Sequence, residues 1–213
     1  MSSLEYLDAG IFIASVDKSH IAYKECEDLL LELMAERKAL TSLVTLEEVL
    51  HRIRTISGAE EFILMLLESE RLVKIPLTFD IFRESTRLVF KYGIDAFDAI
   101  AITTALKHGA LVFWTVDIRL IDCVEALKNS WPELSRIQFR CPISVDKLRE
   151  ESRRKHTQKA RRNIENAILN LLYARGLKMQ KKDFSLATDK AFRMLENLVE
   201  RHSIGFLKKS KNM

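Results

Sequence analysis

No apolar run in the 213-residue chain approaches the roughly 18 to 20 residues that a membrane-spanning helix needs, so no membrane partner is expected. The opening residues MSSLEYLDAG lack a basic region followed by an apolar core, which argues against a secretory signal. Cys26, Cys123 and Cys141 are odd in number, far apart and without a CxxC pair. That excludes a disulfide framework and fits a reducing cytoplasm, with the thiols as small core residues. The five histidines form no HExxH pair, so a histidine-based zinc site has no support. There is no GxxxxGK[ST], GxGxxG or GxSxG either, which disfavours nucleotide cofactors and serine hydrolysis.

What is present is ordinary globular composition, 47% hydrophobic and 30% charged, with an uneven charge distribution. Residues 1–148 carry 17 Lys and Arg against 23 Asp and Glu, whereas residues 149–213 carry 17 against 7. Two units are expected, 1–145 and 146–213, with different electrostatic roles.

Along the first unit, apolar strands alternate with amphipathic stretches. Residues 4–14 read as a strand interrupted by Asp8, and Ser19–Lys38 as a helix. Residues 39–44 read as a buried strand, followed by a helix that Thr45 caps through the pattern Thr45-Leu46-Glu47-Glu48 and that runs to Ile56. Then come a helix over 57–70, a strand in RLVKIP, and a helix from Thr78 or Asp80 to Tyr92 with Gly93 as its breaker. Asp95–His108, ALVFWT, 118–129 and RIQFR complete the alternation. The pattern implies an α/β fold, a parallel sheet of about five strands flanked by helices. Beyond Asp146 a long helical pattern to Gly176 and a second over 186–202 suggest a C-terminal helical hairpin, ending in a frayed GFLKKSKNM.

In parallel sheets ligands gather at the carboxyl ends of the strands. Asp8, Glu48 and Asp117 all fall at a strand end or in the first turn after one, and Asp98 falls in the first turn of its own helix. Each has a structural alternative. Asp8 could serve a turn, Glu48 the capping box, and Asp117 the cap of the helix that starts at Ile118. Asp98 is the hardest to explain that way, because Asp95 is the better N-cap. A buried carboxylate without a partner costs more than the helix dipole returns. Four carboxylates converging on one edge suit a hard divalent cation, Mg²⁺ or Mn²⁺.

The order LDAGIFIA, TSLVTLEEVL, GIDAFDAIAITTALKHGA and VFWTVD, over residues 4–142, resembles the PIN-domain family of metal-dependent ribonucleases, whose most numerous members are VapC-type toxins. On that resemblance Asp8, Glu48, Asp98 and Asp117 match the family's acids as catalytic and metal-holding residues. A water activated by Mg²⁺ or Mn²⁺ would hydrolyse RNA to 3′-hydroxyl and 5′-phosphate ends. Asp95, Glu47 and Thr115 are neighbours that could orient those ligands. Two positions depart from the pattern: Ala9 stands where Thr or Ser is frequent, and IRLI follows Asp117 where an aromatic is common.

The resemblance further implies RNA as substrate, an antitoxin protein and a second copy of the chain as partners, and a role as toxin or RNA-processing nuclease. The alternative is a non-catalytic RNA- or protein-binding module on the same scaffold. The basic stretch with Arg153, Arg154, Lys155, Lys159, Arg161 and Arg162 is either a solvated helix face or a grip on the phosphate backbone. Tyr92, Phe113 and Trp114 read as core rather than as base-stacking platforms.

Overall fold

A computed structural model describes residues 4–36, 38–174, 189, 190 and 193. Its contacts divide the chain into two compact units, Met1–Arg149 and Glu150–Met213. In the first unit five parallel strands form one sheet: β1 (Glu5–Leu7), β2 (Ala39–Ser42), β3 (Leu72–Ile75), β4 (Val112–Trp114) and β5 (Gln138–Arg140). Their order is β3-β2-β1-β4-β5, with Tyr6 opposite both Leu40 and Phe113. The α/β expectation of a five-stranded parallel sheet therefore holds.

Successive strand residues face opposite sides, and the sheet buries both. Leu7 and Ala39 join one apolar cluster with α1 (Ala9–Val16), α2 (Tyr23–Ala35), α3 (Leu43–Ile53) and α4 (Ala59–Glu68). Tyr6, Leu40 and Phe113 join the other with α6 (Ala96–Lys107) and α7 (Ile118–Leu127), and α5 (Phe79–Tyr92) packs against it through Leu88 and Val89. Tyr6, Phe113 and Phe139 stack across three neighbouring strands at 4.8 and 4.9 Å. Phe113 is fully buried, as expected of a core residue, whereas Trp114 and Tyr92 are half-buried.

Local chemistry sets the boundaries. The Thr78 side chain accepts from the Ile81 amide, and Gly93, at φ 68°, closes α5 in the left-handed conformation that glycine adopts without strain. Two expectations change. The stretch over 4–14 is not one strand: β1 stops at Leu7 and the chain turns into α1 at Asp8. AGIFIA is apolar throughout because α1 is buried on nearly every side, so no periodicity marked it as helix. The cap of α3 is Ser42, which accepts from the Thr45 amide, and not Thr45 itself.

Among the described residues no helix is long and apolar enough to cross a membrane. In the second unit the described backbone is helical to Ala174, as part of α8 (Val145–Ala174). The second helix expected over 186–202 lies outside the described residues apart from 189, 190 and 193, and the terminal GFLKKSKNM lies wholly outside them.

Candidate active site

The chain runs from β1 to one side of the sheet, through β2 and β3, and from β4 to the other side, through β5. The carboxyl ends of β1 and β4 are therefore the point where the winding reverses, and a crevice opens at such a point. Asp8 follows β1 directly, and Asp117 is the third residue after β4.

Asp8 is 8% exposed, and the Thr115 hydroxyl donates to its Oδ2 at 2.7 Å. The same hydroxyl oxygen accepts the Asp117 amide at 3.0 Å. Thr115 thus ties the Asp8 carboxylate to the Asp117 backbone. Asp117 caps α7 by accepting from the Arg119 and Leu120 amides. Asp95 caps α6 by accepting from the Phe97 amide, which leaves Asp98 uninvolved in capping.

A cleft of about 1070 Å³ opens above these residues, and Glu48, Asp98 and Asp117 all line it. Asp95 and Glu47 line it too, whereas Asp8 is buried and is not part of its surface. Asp8 still belongs to the group electrostatically. Burial pushes its carboxyl up to about 6, with Glu48 and Asp117 adding to the shift and the Thr115 hydrogen bond opposing it. Burial and then Asp8, Asp117, Asp95 and Glu48 push Asp98 up to about 7. Burial also raises Glu48, against the pull of Arg52.

Among the described residues none of Asp8, Glu48, Asp98 and Asp117 has a Lys or Arg within ion-pair distance. Among the described residues no group of three or more His, Cys, Asp or Glu is placed to hold a metal ion. The carboxylates instead repel one another across the cleft. Asp8, Glu48 and Asp98 are hard oxygen donors whose ionisation is suppressed by burial and by neighbouring carboxylates, a donor type that a divalent cation would suit.

The PIN-domain family model matches residues 6–124, more than half of the chain, a span within which Asp8, Glu48, Asp98 and Asp117 fall. The chain belongs to the PIN-domain family. Solved PIN structures similar to it include VapC20 of Mycobacterium tuberculosis, a toxin that cleaves the sarcin-ricin loop. That pair is 14% identical over 55% of this chain and 92% of the other, with a TM-score of 0.48. Another is VapBC2 of Rickettsia felis bound to a DNA fragment from its promoter, 18% identical over 65% and 98%, with a TM-score of 0.44. No curated protein matches the chain.

Several residues around this PIN-domain cleft escaped the sequence. Arg52, Arg54 and Arg119 line it and are exposed, so positive charge is not confined to the C-terminal unit. Phe97, beside Asp98, lines the cleft and is 51% exposed. The Tyr6 hydroxyl meets Thr45 Oγ1 at 2.7 Å, and Thr45 Oγ1 meets Ser42 Oγ at 2.9 Å. This buried triad anchors the first turn of α3, one turn before Glu48. Gly10 is a close-approach glycine, since a Cβ there would meet Val116 Cγ2 at 2.8 Å.

On α8 the six cations named from sequence are exposed. Arg154 and Lys155 pair with Glu151, and Arg161 with Glu165 and Asp189. Arg153, Lys159 and Arg162 have no carboxylate partner among the described residues.

Proposed function

We propose that the chain is a Mg²⁺- or Mn²⁺-dependent endoribonuclease whose nuclease domain spans residues 1–145, with a basic helical extension over 146–213. The observation that carries this reading is the set of carboxylates at the β1/β4 winding reversal. Asp8, Asp98 and Glu48 are all raised by burial, and no lysine or arginine pairs with them among the described residues.

Asp8, Glu48, Asp98 and Asp117 would hold the ion or ions. A bound ion supplies an activated water at neutral pH and offsets the charge that develops on the phosphate. Thr115 fixes the Asp8 carboxylate by its hydrogen bond to Oδ2 and keeps the Asp117 backbone beside it. Arg52, Arg54 and Arg119 at the cleft rim meet the RNA phosphates, and the exposed Phe97 ring offers a face for a base. The unpaired cations of α8 add a sequence-independent grip. The protein acts in the cytoplasm, as the toxin of a pair opposed by an antitoxin protein or as an RNA-processing nuclease, and as a homodimer.

The test is cleavage of labelled RNA with Mn²⁺ or Mg²⁺, wild type against Asp98→Asn. Cleavage is expected in the wild type, abolished by EDTA and reduced at least a hundredfold in the variant. No cleavage by the wild type with either ion, or equal cleavage by the variant, returns the chain to the non-catalytic binding module.

A further inference from the structure

A second cleft, of about 520 Å³, lies between α5, α6 and the short 3-10 turn Pro132–Arg136 that precedes β5. The turn between α5 and α6 separates it from the carboxylates: Tyr92 lines this cleft, and Gly93 lines the other. Leu88, Leu106, Tyr92 and Trp131 form its apolar wall, with Tyr92 stacked on Trp131 at 5.4 Å. Arg87, Lys91, Lys107 and Arg136 are exposed at its margin, against two carboxylates, Glu84 and Glu133. Glu84 is engaged by Arg83 and Arg87, and Lys107 reaches Asp80 at 3.4 Å, while Arg136 has no carboxylate partner among the described residues.

Thr103 also lines this cleft. It is 4% exposed, and its Oγ1 is a buried side-chain polar atom with no hydrogen-bond partner among the described residues. The next residue shows what a helical threonine ordinarily does: Thr104 donates to the Ile100 carbonyl. A buried hydroxyl left unpaired is costly, and a ligand atom that reaches Thr103 from the cleft it lines would relieve that cost. The space far exceeds a bare phosphate, and its apolar wall suits a flat ring. The surplus of cations at the margin suits an anion.

We propose that this cleft binds a nucleotide, its base against the apolar wall and Thr103, and its phosphate against the marginal cations. In the full reaction it holds one nucleotide of the RNA strand away from the scissile bond. That second role rests on the ribonuclease reading, whereas nucleotide binding itself does not.

The experiment titrates the isotope-labelled full chain with UMP and AMP, with the bare nucleosides and inorganic phosphate as controls. EDTA is present so that no divalent ion carries nucleotide to the carboxylates. Amide shifts are expected at Lys91, Thr103, Lys107 and Arg136, with nucleoside and phosphate each binding more weakly than the nucleotide. Thr103→Val should weaken nucleotide binding about tenfold, as for one lost hydrogen bond, while melting at the same temperature or higher because the unpaired hydroxyl is gone. Shifts confined to the carboxylate cleft, phosphate binding as tightly as nucleotide, or unaltered affinity in Thr103→Val would each overturn the proposal. In cleavage assays Arg87→Gln/Arg136→Gln should raise KM for RNA severalfold, with unchanged turnover of a small activated phosphodiester. An unmoved KM removes the RNA role. A wild type that cleaves no RNA sinks the ribonuclease reading alone, since the titration in EDTA is read without it.

Discussion

The Thr115 hydroxyl donates to Asp8 Oδ2 at 2.7 Å across 107 positions of sequence, and that contact helps to set the most buried of the four carboxylates. Thr115→Val keeps the shape of the side chain and removes the donor. Groups that orient metal-ligating carboxylates typically carry about 10- to 100-fold in metal affinity or activity. Mn²⁺-dependent RNA cleavage should fall by that order, and Thr115→Ser should restore most of it. Equal activity in Thr115→Val and wild type would show that Asp8 needs no such support.

The metal-free chain should lose stability as the pH rises. The Asp8 and Asp98 carboxyls are held at about 6 and about 7 in the fold, mainly by burial, above the unfolded value of about 3.9. The folded state therefore binds extra protons between about pH 4 and 7. Their stabilising effect is complete below pH 4 and lost as the pH passes 6 and then 7. The slope is on the order of 1 kcal/mol per pH unit for each proton released. Urea unfolding in EDTA at pH 5 and pH 8 measures it, and Asp98→Asn should flatten the curve. Mn²⁺ should stabilise more at pH 8 than at pH 5, because it competes with those protons. A midpoint that climbs with pH in EDTA would contradict the electrostatics described above.

Gly10→Ala pits two effects against each other. Alanine favours a helix over glycine by about 0.5 to 1 kcal/mol, but overpacking costs about 1 to 3. The new Cβ would overlap Val116 Cγ2 at 2.8 Å, and a valine methyl has no freedom to swing aside, so the overlap wins. A net loss of about 1 to 2 kcal/mol is expected in the urea midpoint. Because Val116 sits between Thr115 and Asp117, cleavage should decline further than the lost stability explains.

Salt dependence separates the two groups of cations. Each phosphate contact on a single strand contributes about 0.7 to the slope of log affinity against log salt. Replacing Arg52, Arg54 and Arg119 with Gln should lower the slope for RNA binding in EDTA by about 2. Arg153, Lys159 and Arg162 replaced together should act likewise. A slope untouched by the second set would mean that those α8 cations face water alone.

The order of elements was legible because strands and helices differ in period, and Gly93 and Asp95 marked their helix ends plainly. Asp98 stood out as an acid in an apolar run whose cap was already supplied. α1 was missed for the opposite reason: buried nearly all round, AGIFIA carries no stripe. Ser42 was passed over as a cap because Thr45-Leu46-Glu47-Glu48 fits the local rule better, and only the Tyr6–Thr45 contact, 39 residues apart, shows that Thr45 is needed elsewhere. Gly10 against Val116 and the unpaired Thr103 hydroxyl belong to the same class. Periodicity describes an element's own faces and says nothing about which distant atom they meet.

β1 is the first strand of the chain and the middle strand of the sheet, and its other neighbour, β4, begins at Val112. During synthesis β1 must therefore wait for more than a hundred further residues to emerge before its second edge is paired. Asp8 meets Thr115 and Asp117 only at that moment. A nascent chain halted before β4 carries Asp8, Glu48 and Asp98 but neither Thr115 nor Asp117, and has no completed cleft to hold them. The cleft is thus completed only once the central strand is enclosed on both edges.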